Sequence, residues 1–260
     1  MNRLITCLTR PSKIGLFLKD KFYIPLIYMV LFFIGLASIY AVRCFNTAYL
    51  INVSTNCVYA INANKNAPNV VYENGVLSGS RYACENNEVY ITFLSDTTLK
   101  RVGKLTMNFK ADEVEMNSFL FTKTIKYSEI KSKDSFNLAD IKAGKMDSVV
   151  HFNTFVTELT NIYNPTYALR VFVLDMLYYL VFVGVGLLLS LIFSYLVNPP
   201  IGMNLRIKMN MYDTLIVFPF LAFSIFFSFS YLMYIGLLAI GVFTFFTFTH
   251  IVRIRIKKDV

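Results

Sequence analysis

Two long stretches without basic residues near the C-terminal end of the chain constrain its fold most strongly. Residues 171–197 and 214–252 contain no Lys or Arg, and their only Asp, Glu or His residues are Asp175 and His250. An α-helix rises about 1.5 Å per residue, so about 20 apolar residues cross the hydrocarbon core of a bilayer. Both stretches meet this length. The sequence therefore predicts a membrane protein.

The second stretch is too long for one crossing. Small polar residues interrupt its Phe-rich sequence at Ser228 and Ser230, beside Tyr231. A division here gives a hairpin of two helices, residues 214–230 and 231–252, each near the length that a bilayer requires. A single long, tilted helix is the alternative, but it would place Phe and Ile side chains outside the lipid. The hairpin is the better interpretation.

The distribution of charge agrees with a membrane protein. The chain is 56% hydrophobic and carries a formal net charge of +9. A basic chain can bind nucleic acid, but acidic and basic residues balance between positions 44 and 168. The positive excess lies beside the hydrophobic segments, where it acts as a signal for membrane orientation. We therefore expect the lipid bilayer, and no nucleic acid, as a partner.

Residues 1–21 predict a basic amphipathic segment on the cytoplasmic side. Apolar residues lie among its basic ones, as expected for a short helix at the inner membrane surface. A lipid or partner contact is one interpretation, and a basic anchor that orients the first crossing is the better one. Residues 22–42 are predicted to form that crossing. The basic residues of the segment are Arg3, Arg10, Lys13, Lys19 and Lys21.

Residues 43–169 have the composition of a soluble domain and are long enough for a core of their own. Asn74 and Gly75, between apolar residues, predict a tight hairpin turn. Alternating side chains predict a strand at residues 89–94, and residues 105–109 and 118–125 are further strand candidates. Apolar residues spaced by three and four after Asp147 predict a helix, which Asn164 and Pro165 are expected to end. The domain is therefore expected to be mixed α+β.

The charges between the apolar segments predict the topology. Residues 170–197 return the chain to the cytoplasm, residues 198–213 form a basic loop with Arg206 and Lys208, and the basic tail 253–260 follows the hairpin. Every short segment expected inside is basic, as the positive-inside rule requires. The predicted fold class is a polytopic α-helical plasma-membrane protein with four transmembrane helices and both termini cytoplasmic. A mixed α+β extracytoplasmic domain lies between the first two crossings.

The sequence lacks the usual motifs for catalysis or metal binding. HExxH, CxxC, GxSxG, GxGxxG and a Walker loop are absent. The two histidines, His151 and His250, fall on opposite sides of the membrane in the predicted topology, so they cannot share a site. We therefore expect no catalytic, cofactor-binding or metal-ligating residues, and no enzymatic activity.

Two acidic residues lie in or beside the predicted helices. Asp175 lies about one turn inside the second crossing, where a charge is costly and often functional. An interfacial carboxylate that pairs with Arg170 or reaches water is the simpler interpretation of this residue. Asp213 precedes the third crossing and is expected to cap its N-terminus, where a negative charge meets the helix dipole.

Two cysteines, Cys57 and Cys84, lie in the predicted outer domain. A disulfide between them is chemically allowed outside the cell. Two free buried thiols fit the sequence about equally well.

Small residues in the predicted helices mark candidate faces for packing, either within the bundle or against a partner. Such residues let two helix backbones approach closely. They are Gly184 and Gly186 in the second crossing, and Gly236, Ala239 and Gly241 in the last.

The order of these elements resembles a known family. The residues that carry the resemblance are Pro11-Ser12-Lys13 and Phe17, residues 23–28 leading into the first helix, residues 71–78, residues 119–129 ending in Ile125-Lys126-Tyr127-Ser128-Glu129, and residues 208–220 with Asp213 and Pro219. They look like a bacterial multi-pass membrane family of unknown function. Its members include the maltodextrin-operon accessory membrane protein, and the family is distantly similar to the Yip-type membrane proteins. The resemblance implies an outer domain between the first two crossings and, in some relatives, an accessory role in sugar import.

These observations give three hypotheses for function. The first is a non-enzymatic accessory subunit that binds another integral membrane protein, such as a maltodextrin-type ABC importer; a homo-oligomer is compatible with it. The second is a sensor whose extracytoplasmic domain binds a small molecule. The third is a small secondary transporter, for which Asp175 is the main support.

Overall fold

The computed structural model describes residues 2–65, 68–96, 101, 103–197 and 201–258. The chain divides into two units, which we call the membrane unit (Met1–Arg43 with Phe172–Val260) and the sheet domain (Cys44–Val171).

The described helices and strands are as follows in chain order. The α-helices are α1 (Asn2–Thr9), α2 (Tyr23–Phe45), α3 (Val53–Ala63), α4 (Leu138–Lys142), α5 (Met146–Val197), α6 (Met203–Thr214), α7 (Val217–Phe227) and α8 (Tyr231–Lys258). The strands are β1 (Val70–Glu73), β2 (Val76–Gly79), β3 (Tyr82–Glu85), β4 (Val89–Phe93), β5 (Leu105–Phe109), β6 (Glu113–Ser118), β7 (Phe121–Lys126) and β8 (Phe136–Asn137). Pro11–Lys19 and Tyr127–Glu129 form 3-10 helices.

Two sheets form the β part of the sheet domain. One has five strands in the order β3-β4-β5-β6-β7, in which β4 and β5 are parallel and the other neighbours antiparallel. The other has the order β2-β1-β8 and is antiparallel. Asn74 and Gly75, with φ of 52° and 79°, join β1 to β2. The predicted hairpin and the predicted strands at 89–94 and 105–109 are therefore confirmed, except that β4 ends at Phe93.

The predicted strand at residues 118–125 is wrong in its boundaries. Ser118 ends β6, Phe119 has a φ of 59°, and the Leu120 amide donates to the Ser118 carbonyl at 2.7 Å. The chain therefore turns between β6 and β7. Apolar residues at positions 119 and 120 hid this turn, because neither is a residue that usually marks one.

An aromatic cluster in the core of the sheet domain joins the first part of α5 to both sheets. The Phe155 ring lies 4.8 Å from Tyr72 of β1, 5.3 Å from Phe136 of β8 and 6.4 Å from Phe109 of β5, between ring centroids. All four side chains are buried. The predicted helix after Asp147 is confirmed, and its apolar face forms one wall of this core.

The predicted end of that helix at Asn164 and Pro165 is wrong, because α5 continues through Pro165 to Val197. Proline removes one backbone hydrogen bond and crowds the preceding turn. In that turn the Lys123 ammonium donates to the Ile162 carbonyl at 2.9 Å. The Asn164 side chain also bonds the backbone at Thr47 and Tyr49, at 3.1 and 3.0 Å. These tertiary contacts stabilise the helix at a position where the local sequence favours a helix end.

Four helical segments among the described residues are long and apolar enough to cross a membrane. They are Tyr23–Phe45, the apolar part of Met146–Val197, Met203–Phe227 and Tyr231–Ile251. A turn at Ser228, which has a φ of 57°, separates the last two. The fold is thus that of a membrane protein with a sheet domain, and the predicted hairpin is confirmed over the single long helix.

The predicted basic loop at residues 198–213 is instead mostly helix. Helix α6 covers Met203–Thr214, and Arg206 and Lys208 are buried in it. Residues 198–200 lie outside the described residues. Sequence reasoning did not predict this helix, because its many polar residues are typical of a solvated loop. In the structure several of them are buried instead.

The aromatic cluster predicts a large effect of Phe155→Ala on the sheet domain. Deletion of this buried ring should lower the free energy of unfolding by about 3 to 5 kcal/mol. Hydrogen exchange of the β1 and β5 amides in the purified full-length protein measures this loss. Tyr59→Ala removes an exposed ring from α3 and should change exchange little. Equal exchange in the two variants would contradict the assigned role of Phe155.

Candidate functional site

An apolar groove lies between α2 and α7 in the membrane unit, and we call it the α2–α7 groove. Its volume is about 360 Å³. On α2 the lining positions recur every three or four residues, which places them on one helix face. Gly35 lies on this face, and an added Cβ there would meet no atom within 4 Å. The lining residues are Tyr28, Leu31, Phe32, Gly35, Leu36, Ile39, Phe218, Pro219 and Ala222.

A second recess of opposite chemistry, the polar cleft, lies among α2, α5, α7 and α8. Its volume is about 460 Å³. It combines one guanidinium, one carboxylate, four phenol rings and three serine hydroxyls. The lining residues are Tyr40, Arg43, Asp175, Tyr178, Tyr179, Ser224, Ile225, Ser228, Ser230, Met233 and Tyr234.

Two hydrogen bonds position the charged groups of the polar cleft. The Tyr40 hydroxyl donates to the Asp175 carboxylate, and the Arg43 guanidinium donates to the Ile225 carbonyl. The Tyr40 ring also meets the Tyr179 ring edge-on at 5.8 Å. The sequence predicts Asp175 as a candidate site and either Arg170 or water as its partner. In the structure the partner is the Tyr40 hydroxyl. Sequence reasoning missed Tyr40 and Arg43, because helix α2 carries no local pattern that pairs them with Asp175.

The buried polar network is a third feature, in which side chains of α5, α6 and α8 are hydrogen-bonded in the bundle interior. Thr247 donates to the Asp213 carboxylate at 2.7 Å. Ser190 donates to the Asn210 side-chain oxygen at 2.8 Å and lies 2.9 Å from the Thr244 hydroxyl. All five residues are fully buried. The network joins three helices through groups that lipid could not solvate.

The prediction that Asp213 caps the third crossing is wrong. Asp213 lies inside α6, and α7 begins with Ile216 as its N-cap and no side-chain cap. The carboxylate points into the bundle, where the Thr247 hydroxyl binds it. An interhelical partner thus replaces the helix end that the sequence suggested.

The two basic residues of α6 are bound by carbonyl oxygens and an aromatic ring. The Arg206 guanidinium lies 4.2 Å from the centre of the Tyr195 ring and donates to the Ser194 carbonyl at 3.2 Å. The Lys208 ammonium donates to the carbonyls of Leu18 and Asp20, the latter at 2.7 Å. These bonds attach α6 to α5, to the end of the first 3-10 helix and to the residue that follows it.

Three of the five small residues lie against neighbouring helices. An added Cβ would lie 2.8 Å from Ile240 at Gly186, 3.0 Å from Phe220 at Gly236 and 3.0 Å from Phe193 at Gly241. Ala239 is half-buried, and Gly184 faces open space. Gly186, Gly236 and Gly241 therefore serve close packing inside the bundle.

Cys57 and Cys84 are free and buried in the sheet domain. The Cys57 thiol contacts the Met107 sulfur at 3.8 Å. Burial raises the pKa of the Cys57 thiol well above its ordinary value, and burial raises that of Cys84 to about 12. Of the two alternatives left by the sequence, the structure has the free thiols.

The sheet domain also has a shallow groove beside Cys84, of about 290 Å³. Its polar side chains bond within the domain: Asn64 donates to the Ala83 carbonyl at 2.8 Å, and Lys104 donates to Glu85 at 3.0 Å. Within the described ranges, no group of three or more His, Cys, Asp or Glu residues could hold a metal ion.

No known protein family, curated protein or solved structure matches this chain. The family resemblance of the sequence therefore stays a prediction.

Thr247→Val is predicted to weaken the bundle. The isosteric change removes the hydrogen bond that the Thr247 hydroxyl donates to the Asp213 carboxylate while keeping the side-chain volume. An interhelical hydrogen bond of this kind contributes about 1 kcal/mol. Titration of the purified protein with SDS in mixed micelles measures the change. Thr249→Val, on the same helix and outside the network, is the control and should unfold like the wild type.

Proposed function

We propose that this protein is a non-enzymatic accessory subunit of a bacterial plasma membrane, and that its membrane unit binds another integral membrane protein. The α2–α7 groove is the observation that carries the proposal. Its lining is almost wholly apolar, and it includes the small residues Gly35 and Ala222, which leave space beside the helix backbones. Small residues let a second helix backbone approach closely in lipid, where van der Waals packing drives association. The occupant we propose is a transmembrane helix of the partner.

Under this proposal, the family resemblance narrows the choice of partner protein. Some members of the resembling family accompany sugar import, so a maltodextrin-type ABC importer is the partner we propose first. An importer has transmembrane helices of its own, and one of them would supply the segment that fills the groove.

The proposal includes a topology with both termini in the cytoplasm and the sheet domain outside. Basic residues are concentrated before the first membrane helix and after the last, at ends that would face inward, whereas the charges of the sheet domain nearly balance. This distribution supports the orientation through the positive-inside rule.

Filling the groove is predicted to release the partner. Gly35→Leu adds a side chain where nothing lies within 4 Å, so the fold should tolerate it while the docking surface is lost. The matched control is Gly184→Leu, an equally open helical glycine outside the groove. Tagged chains are purified in mild detergent from the host that encodes them, and each co-purifying protein is quantified against the bait.

Partner yield should fall at least several-fold with Gly35→Leu and stay near wild type with Gly184→Leu. A photo-crosslinker at Leu31 should capture the same protein, and one at the exposed Leu188 of α5 should not. Unchanged partners in Gly35→Leu, or Leu31 crosslinks to lipid alone, would refute the groove as the docking site. Loss only in Gly184→Leu would move the interface to α5.

The topology predicts which introduced cysteines are accessible from outside the cell. Asn87→Cys, at an exposed bend of the sheet domain, should react with a membrane-impermeant maleimide in intact cells. Arg10→Cys should react only after permeabilisation. The natural cysteines are buried, and burial raises the pKa of Cys7 to about 12, so they give little background. The reverse pattern would invert the proposed orientation.

A further inference from the structure

The polar cleft holds both signs of charge within the membrane unit. Arg43 lies near the C-terminal end of α2, and Asp175 lies near the start of the membrane portion of α5. Ionisable groups inside membrane segments are rare and usually mark a site of function. A recess of about 460 Å³ is in the size range of small-molecule sites.

We propose that the polar cleft binds an ammonium–phosphate zwitterion, the chemistry carried by a phosphatidylethanolamine headgroup and by free phosphoethanolamine. A lone anion would meet the Asp175 carboxylate, and a lone cation would meet the Arg43 guanidinium. A ligand with both charges matches the two groups at once. This site is separate from the α2–α7 groove and does not depend on the accessory role.

The carboxylate side of the cleft suits the ammonium group. Asp175 is fixed by the Tyr40 hydroxyl, and the rings of Tyr40, Tyr178 and Tyr179 line the same cleft, with Tyr179 5.8 Å from each of the other two rings. Aromatic faces attract an alkylammonium through their quadrupole, and a carboxylate adds a charge-assisted hydrogen bond.

The guanidinium side suits the phosphate. Arg43 is anchored at the cleft wall by its bond to the Ile225 carbonyl. The serines of the α7–α8 turn, Ser228 and Ser230, line the same cleft and are exposed. Guanidinium groups bind phosphate oxygens in a planar, bidentate geometry, and serine hydroxyls donate to the oxygens that remain.

The position of the cleft along the helices favours a headgroup. Arg43 is the last residue of the membrane unit before the chain enters the sheet domain, and tyrosines dominate the lining. Tyrosine is enriched where lipid headgroups meet the hydrocarbon region. A headgroup at this depth can enter the cleft while its acyl chains remain in the bilayer.

The test measures thermal unfolding of the delipidated full-length protein in dodecyl maltoside. The probes are phosphatidylethanolamine, phosphatidylglycerol and soluble phosphoethanolamine. We expect phosphatidylethanolamine to stabilise the protein at a concentration about tenfold or more below that of phosphatidylglycerol, since only the former carries the ammonium. If soluble phosphoethanolamine raises the unfolding temperature as much as the lipid does, the site is assigned to a free ligand. If only the lipid raises the unfolding temperature, the site is assigned to a membrane lipid headgroup.

Two variants connect the effect to the cleft. Asp175→Asn should abolish the preference for phosphatidylethanolamine, and Ser230→Phe should block the cleft and remove the stabilisation even if Asp175→Asn does not fold. Asp147→Asn, an exposed acid on the same helix and outside the cleft, is the control and should keep the preference. Equal stabilisation by both lipids, or a preference that survives Ser230→Phe, overturns the proposal.

Discussion

The structure depends on one constraint, which is that the hydrocarbon core of a bilayer cannot hydrogen-bond to a polar group. Each polar side chain placed in the helical bundle therefore needs a partner from the protein. Thr247 meets this need for Asp213, and backbone carbonyls meet it for Lys208. These pairings decide how α6, α8 and the first 3-10 helix are arranged. Packing of apolar side chains alone would allow many relative rotations of such helices, because apolar contacts are not directional.

The same constraint separates structural polar groups from candidates for function. In the buried polar network, Ser190, Asn210 and Thr244 are sealed from solvent and bonded to one another. The polar cleft differs because Asp175 and its tyrosines line an open volume. A closed network specifies helix packing, whereas an open one offers its hydrogen-bonding capacity to a ligand. This difference, and not polarity as such, makes the polar cleft a candidate binding site.

Sequence reasoning predicted the features that depend on local pattern. Hydropathy revealed the four apolar helices, and the Asn74-Gly75 turn and the alternating strand at Val89 followed from local sequence. The failures share a cause. Pro165 lies inside a helix because Lys123 and residues near Thr47 stabilise that turn from a distance, and Asp213 binds a residue 34 positions away instead of capping. Local patterns cannot report such distant partners. For the same reason, sequence reasoning predicts Asp175 as a candidate site but not Arg43, which lines the same polar cleft.

Helix α2 connects the two candidate sites. One face of the helix presents Gly35, Leu36 and Ile39 to the α2–α7 groove, while Tyr40 and Arg43 in the next turn reach the polar cleft. A helix moves as a nearly rigid element, so a change in how α2 packs against α7 would also move Arg43 relative to the Ile225 carbonyl of α7, to which it donates in the polar cleft. Any occupant of the groove that favours one position of α2 would then alter the affinity of the cleft for its ligand. Thermodynamic linkage makes this coupling reciprocal, so a ligand in the cleft would alter docking in the groove by the same factor.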